Sequence, residues 1–249
     1  MASAVTKPLS TPTERRVGSQ LAELFQTSQD PIEARLESFP CYVRRKTVTR
    51  FITLYELFKL ALPVKGSVVE CGVFRGFGLM TWAHLSAVLE PSNLTRRIYG
   101  FDTFAGFPSV SGADQNERET ARPGDLASTS HEELRKLIEV YDSDRFLGHI
   151  DKVHLVKGDI AETLPAFVAK NRHLVVSLLF LDLDLWEPTK MALQQLIPRM
   201  PRGAVLAFDE LDNPIWPGET EALLETTGIR QLRIRRFAWD PYVGYAVLD

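Results

Sequence analysis

The sequence predicts an α/β fold: a mostly parallel sheet with an antiparallel C-terminal strand and an N-terminal helical cap. Three observations predict it. Ser177 to Leu181 is an unbroken apolar run that ends in Asp182 and Asp184. Such a run suits a strand buried on both faces, the central kind in a parallel sheet. A second run of the same form, Ala204 to Phe208, ends in Asp209 and Glu210 after one intervening helical stretch. Earlier in the chain, Glu70-Cys71-Gly72 closes an apolar run and leads into a glycine-rich turn. Open α/β sheets bind ligands at the carboxyl ends of their strands, so these acids converge where chemistry is expected.

The 249 residues fit one α/β domain with an extension. The division expected from sequence is an extension over 1–46 and a main domain over 47–249. A hydrophobic content of 45% is ordinary for a globular protein, and a net charge of -3 gives no electrostatic case for nucleic acid or an anionic membrane. No apolar stretch is long enough to span a bilayer. Cys41 and Cys71 have neither metal-ligand nor redox spacing, and read as reduced thiols in a cytoplasmic protein. Met1 to Arg16 is polar and lacks a secretory apolar core, so it reads as a disordered lead-in.

Taken in order, Gly18–Gln26 and Pro31–Leu36 read as short helices. Thr47–Leu60 carries a helical apolar face that Pro63 stops. Arg44, Arg45, Lys46 and Arg50 form a basic cluster, either a solvated face or a contact for an anion or a neighbouring subunit. Ser67–Gly72 reads as the first strand and Leu79–Leu89 as the helix after it. The turn between them has the form E-x-G-x-x-x-G-x-G (Glu70, Gly72, Gly76, Gly78), which is not the dinucleotide fingerprint. An acid ahead of glycines suits a ligand with an ammonium group and no pyrophosphate.

Ile98–Asp102 is the next strand. Its terminal acid is placed to accept hydrogen bonds from ribose hydroxyls. Residues 109–130 are polar and glycine-rich, and read as a lid over the site or as a disordered insertion. His131–Val140 is helical, with Ser130 as its cap. Val153–Ile160 is a strand reaching Asp159, which has two compatible readings: it receives an adenine amino group, with Ile160 on the ring face, or it caps the following helix, Glu162–Ala169. Pro188–Met200 and Glu219–Thr227 are helices. Gln231–Ala238 and Tyr242–Leu248 alternate as a terminal antiparallel pair at the sheet edge, turning at Asp240-Pro241. His84 and His154 read as structural, His131 and His149 as open candidates, and His173 lies at the wrong end of its strand.

Several acids converging on one edge repel one another without a cation, which suggests a hard divalent metal such as Mg²⁺. A resemblance sharpens this reading. Val69-Glu70-Cys71-Gly72-Val73-Phe74-Arg75-Gly76, Gly100 to Pro108, Lys157-Gly158-Asp159 with Thr163-Leu164-Pro165, Leu181 to Thr189, and Phe208-Asp209-Glu210 together resemble the macrocin O-methyltransferase (TylF-like) family. The resemblance spans about Thr47 to Leu224. It implies a Rossmann-like class I methyltransferase fold, S-adenosylmethionine (SAM), a divalent metal and methylation of sugar hydroxyls in natural-product assembly.

Carried over, Asp182, Asp209 and Glu210 fall on the metal ligands and Asp184 on the general base. Glu70, Gly72, Gly76, Asp102, Asp159, Ile160 and Asp182 fall in the cofactor motifs. Two positions depart from the pattern: Glu210 stands where the family has a second aspartate, and Trp186 where it commonly has Tyr. The partner implied is a small sugar, a deoxysugar by preference; separately, the apolar and basic N-terminal segment suits a subunit contact, so a homo-oligomer is expected. A catechol-like diol would satisfy the same geometry. A D-x-D glycosyltransferase (Asp182-Leu183-Asp184) and a non-catalytic scaffold are the competing readings.

Overall fold

A computed structural model describes residues 11–115, 121–128 and 130–249. The chain divides into two compact units, Met1–Ile52 and Thr53–Asp249, with the division inside one helix. In the first unit, α1 (Pro12–Thr27) starts six residues earlier than the apolar pattern indicated. The signal is a capping box. Thr11 Oγ1 accepts from Glu14 N at 3.2 Å, Glu14 Oε2 accepts from Thr11 N at 2.7 Å, and Pro12 occupies the first turn. Residues 12–16 are therefore helical rather than part of a disordered lead-in, and residues 1–10 lie outside those described. α2 (Ile32–Glu37) follows, and α3 (Arg45–Ala61) crosses the division. Phe25 meets Tyr42 edge-on at 5.1 Å.

The second unit is a seven-stranded sheet. Its strands are β1 (Ser67–Cys71), β2 (Ile98–Asp102), β3 (Val153–Lys157), β4 (Val176–Leu181), β5 (Val205–Phe208), β6 (Arg235–Phe237) and β7 (Asp240–Val247). The order is β3-β2-β1-β4-β5-β7-β6, with β7 alone running against its neighbours. The chain moves outward from β1 to β3 and then returns to β4 on the other side of β1. That reversal opens a crevice at the carboxyl ends of β1 and β4.

Every residue of β4 is buried. Leu178 and Phe180 join a core with the end of α3, α4 (Phe77–Leu89) and α5 (His131–Asp144). Leu179 and Leu181 join a second core with α6 (Ile160–Lys170), α7 (Trp186–Leu196) and α8 (Gly218–Thr226). The continuous apolar run thus serves two faces at once.

The C-terminal pairing differs from the sequence expectation. Asp240-Pro241 opens β7 instead of turning, because Asp240 is buried and accepts a 2.9 Å hydrogen bond from Thr53 Oγ1. β7 lies inside the sheet between β5 and β6, and only the short β6 forms the edge. The expected strand from Gln231 is shortened by a 3-10 turn over Ile229–Gln231.

At the amino end of the sheet one arginine gathers the chain. Arg96 is 3% exposed. Its guanidinium donates to the carbonyls of Ala61, Leu62, Val64 and Gly66 and to Ser177 Oγ, and pairs with Glu90 at 2.8 Å. The last carbonyls of α3 and the entry to β1 are satisfied by this single group. Arg96→Met is therefore expected to destabilise the fold by about 3–5 kcal/mol, because it removes the ion partner of Glu90, which keeps Ser86 and Asn93 as hydrogen-bond donors, and strips several carbonyls of their donor at once. Urea unfolding checks this; a loss below about 1 kcal/mol would mean that water replaces the arginine.

Candidate active site

The site forms where β1 to β5 end, with the cavity at the ends of β1, β2, β3 and β4 and the acids Asp209 and Glu210 at the end of β5. Gly72, directly after β1, has φ of +93°, and a Cβ there would lie 1.8 Å from the carbonyl oxygen of Asp182. Only glycine permits this approach of the two strand ends. Asp182 N in turn donates to Cys71 O at 2.8 Å, and Asp209 N donates to Leu181 O at 2.9 Å. The acid-bearing residues thus continue the sheet's hydrogen bonding by one step beyond the strands.

An apolar-walled cavity opens at this edge. Phe74, Phe101, Phe107, Leu126, Ile160 and Pro188 line it, with Gly72, Asp102, Thr103, Asp159, Asp182 and Asp184 as its principal polar edge. Of the residues singled out from sequence, Gly72, Asp102, Asp159, Ile160, Asp182 and Asp184 meet here. Asp209 and Glu210 stand at the neighbouring strand end and do not line the cavity.

Glu70 and Gly76 are placed elsewhere. Glu70 is buried behind the turn, so close to the start of α4 that a Cβ on Gly78 would lie 2.0 Å from Glu70 Oε1. Gly76, at φ +84°, precedes α4 and makes room for Leu134. Both shape the turn and neither faces the cavity.

Asp102 has a second task that its position in the sequence did not reveal. Its Oδ2 accepts from Val73 N at 2.8 Å and Phe74 N at 2.7 Å, and its Oδ1 accepts from Phe104 N at 2.5 Å. One carboxylate thereby fixes both loops around the cavity mouth. Asp159 caps α6 by accepting from Ala161 N at 2.9 Å, as one of its two readings expected, and it also lines the cavity. Ser130 does not cap α5 with its side chain; its hydroxyl donates to Phe74 O at 2.6 Å. Phe74, Phe104, Leu126 and Asp184 have φ of +49°, +54°, +58° and +60°, so four non-glycine residues in sparsely populated backbone surround one site.

The residue with the greatest hold on the acids is Glu219, in the first turn of α8, which sequence reading had placed only as part of a helix. It is fully buried. Its Oε1 accepts from Leu183 N and its Oε2 from Glu210 N, each at 3.1 Å. It therefore clamps the loop after β4 to the loop after β5. Burial, then the charges of Asp182 and Asp184, push its carboxyl well above the usual range. Burial, then Asp182 and Glu210, push Asp184 up to about 8. Glu210 also accepts a hydrogen bond from Asn213 Nδ2. No local sequence pattern signals Glu219, because its partners lie 36 and 9 residues away.

The segment read as a lid is anchored where it is described; residues 116–120 and 129 lie outside the described set. Phe107 N donates to Asp125 O at 3.0 Å and Gly124 N to Phe107 O at 2.9 Å. Phe107, Val110 and Ala121 pack with Leu185 and Trp216 in a small apolar cluster.

Replacing Glu219 separates the clamp from the charge. Glu219→Gln keeps one acceptor oxygen and turns an amide toward the other backbone N–H, whereas Glu219→Ala removes both acceptors. The glutamine variant is expected to lose about 1–3 kcal/mol of stability and the alanine variant more, since each orphaned buried donor costs its desolvation. Denaturant unfolding of the two variants tests the order; equal stability to wild type would remove Glu219 from this role.

Comparison with known proteins agrees with this geometry. The family model described as macrocin O-methyltransferase (TylF) matches residues 57–230. A curated relative from Streptomyces olivaceus, 8-demethyl-8-(2,3-dimethoxy-alpha-L-rhamnosyl)-tetracenomycin-C 4'-O-methyltransferase, is 33% identical over 157 residues. That match takes in 61% of this chain and 55% of the relative, so the chain spans little more than half the length of that enzyme. Among solved structures, the calicheamicin methyltransferase CalS11 superposes with a TM-score of 0.93 at 35% identity over 99% of each chain. An apo structure of CalS11, described as a TDP-rhamnose 3'-O-methyltransferase, gives a TM-score of 0.85 at 32% identity, again over 99% of each chain. The O-methyltransferase NovP, at 21% identity over 81% of this chain and 80% of its own, shares the fold with a TM-score of 0.62. The sheet order and the matched length establish that this chain belongs to the macrocin O-methyltransferase (TylF) family of SAM-dependent methyltransferases.

Proposed function

We propose that the chain transfers the methyl group of SAM to a hydroxyl of a deoxyhexose, either nucleotide-linked or carried on a natural-product scaffold, with Mg²⁺ as a second cofactor. The observation that carries this reading is the set of carboxylates at the ends of β4 and β5 beside a cavity floored by Gly72, Asp102 and Asp159. CalS11, described as a TDP-rhamnose 3'-O-methyltransferase, and the tetracenomycin relative, a 4'-O-methyltransferase of a rhamnosyl compound, support the acceptor class.

In this reading Gly72, Asp102, Asp159, Ile160 and Asp182 bind SAM. Asp102 has three backbone donors already, which leaves part of its acceptor capacity for ribose, and Ile160 offers an apolar face for adenine. Glu70 and Gly76 act from behind, by setting the turn. The acceptor oxygen attacks the sulfonium methyl; the O–CH₃ bond forms, the S–CH₃ bond breaks, and S-adenosylhomocysteine (SAH) leaves as a neutral thioether. The hydroxyl proton passes to the Asp184 carboxylate, which lines the cavity beside the other strand-end acids. Phe107, Leu185 and Trp216 limit water at the acceptor side.

The donor chemistry fits a hard cation: Asp182, Asp209 and Glu210 are oxygen ligands at adjacent strand ends. Asp182 and Glu210 are close enough to raise Asp184 by repulsion, which a cation between them would offset. In the side-chain positions of the structure, no three His, Cys, Asp or Glu among the described residues already converge on one point, so loading would require side-chain movement. Bound there, Mg²⁺ would polarise the acceptor hydroxyl and lower its pKa.

The experiment is titration calorimetry with SAM and SAH, followed by methyl transfer to TDP-rhamnose. Micromolar-range cofactor binding and a methylated sugar are expected, with activity lost in EDTA and restored by Mg²⁺. Failure to bind SAM or SAH would overturn the cofactor site, and turnover indifferent to EDTA would remove the metal. Asp184→Asn is expected to lower kcat by about 10²–10⁴-fold with little change in SAH affinity; wild-type turnover would dismiss it as the base.

A further inference from the structure

The segment that follows β2 is tied to the acid-bearing loop by one buried carboxylate. Asp114 ends a short 3-10 turn, Gly112–Asp114, and is 2% exposed. Its Oδ1 accepts from Trp186 N at 2.5 Å, and its Oδ2 accepts from Ser111 N and Ser111 Oγ, each at 2.7 Å. Trp186 is the first residue of α7. The residue in the N-cap position is Leu185, which has no side-chain oxygen and makes no capping bond. A helix N-terminus needs an acceptor for its first amides, and a carboxylate is the favoured one. Asp114 supplies that acceptor from 72 residues away.

The same joint is closed from its other side by Gly218, the first residue of α8. A Cβ on Gly218 would lie 2.5 Å from Trp186 N, 2.6 Å from Asp184 O and 2.7 Å from Asp114 Oδ1. The next residue is Glu219, which holds Leu183 N. The peptide from Leu183 to Trp186 is therefore gripped at both ends, by Glu219 and by Asp114. Between the grips Asp184 sits at φ +60°, at the centre of a tight turn that Leu185 N closes on Leu183 O at 2.6 Å. Apolar packing of Phe107, Val110 and Ala121 on Leu185 seats the segment independently of the carboxylate.

We infer that Asp114 is a positioning residue that couples the seating of the segment over the cavity to the orientation of Asp184. The inference rests on the methyl-transfer reading for its consequence and on geometry alone for the coupling. With Asp114 seated, α7 is capped and the Asp184 backbone is fixed. With it withdrawn, the cap is lost and the strained loop relaxes, which misplaces Asp184 relative to the acceptor. Asp114 does not line the cavity, so cofactor affinity is independent of it.

The test compares Asp114→Ala, Asp114→Asn and Gly218→Ala with wild type in three measurements: hydrogen exchange across residues 183–190, SAH affinity by calorimetry, and kcat and KM for TDP-rhamnose. The alanine variant at 114 is expected to exchange faster in this segment, to bind SAH within about 2-fold of wild type, and to lose about 10–100-fold in kcat. Asp114→Asn keeps an acceptor for Trp186 N and is expected to recover part of both losses. Gly218→Ala displaces the joint with Asp114 intact and is expected to reproduce the kcat loss. Unchanged exchange in Asp114→Ala overturns the coupling even if no acceptor turns over, an outcome that would separately count against the methyl-transfer reading. Wild-type kcat in Asp114→Ala, or SAH affinity lost in step with kcat, overturns the positioning role. Should Asp114→Ala fail to fold, the other two variants make the same distinction.

Discussion

The constraint on which the site depends is the buried carboxylate of Glu219. Two parallel strands can bring acids to one edge, but they do not fix how far apart those acids stand. Glu219 does so by accepting one backbone amide from each loop, Leu183 after β4 and Glu210 after β5. It occupies a place that electrostatics disfavours, fully buried and beside Asp182 and Asp184. A neutral acceptor pair of the same shape would serve the backbone amides without that repulsion. A carboxyl group in this position is thus coupled to whatever charge the neighbouring acids carry, and the loop geometry is coupled with it.

The opposite end of the sheet is organised by the converse device. Arg96 gathers carbonyls from the end of α3 and the entry to β1, and its charge is balanced by Glu90. A cation that satisfies acceptors holds the amino end, and anions that satisfy donors hold the carboxyl end. Helix direction accounts for part of the division: the C-terminus of α3 offers a free carbonyl at the amino end of the sheet, and the N-termini of α6 and α7 offer free amides at its carboxyl end. Asp102, Asp159 and Asp114 extend the pattern, each spending carboxylate oxygens on amides around the cavity.

What could be read from sequence follows from this. β4 and its acids were legible because a strand covered on both faces has to be apolar throughout, and a break in that run has to be an edge. Gly72, Asp102, Asp159 and Asp184 were legible for the same reason, being strand-end residues. Glu219 and Asp114 were not, because their partners are distant in the chain and a single acid in a polar stretch carries no local pattern. Glu70 was read as facing a ligand, but its strand position turns it toward α4, where the missing Cβ of Gly78 makes room. Ser130 was read as a cap from its place ahead of a helix, yet its hydroxyl serves Phe74 O, because a residue at φ +49° turns its carbonyl away from ordinary ladder partners.

The strained residues give the last step. Phe74, Phe104 and Asp184 each hold a conformation costing on the order of 1–3 kcal/mol, and each is adjacent to a carboxylate that takes its own or a neighbouring amide. Phe74 and Phe104 are held by Asp102 directly. Asp184 is held through its neighbours: Leu185 N donates to Leu183 O at 2.6 Å across it, and Glu219 and Asp114 accept from the amides of Leu183 and Trp186. The first two loops are therefore fixed by a residue that lines the cavity, and the third by Glu219 and Asp114, which do not line it. The Asp102 side of the cavity is thus tied within itself, while the acid side is tied to the elements that bear Glu219 and Asp114.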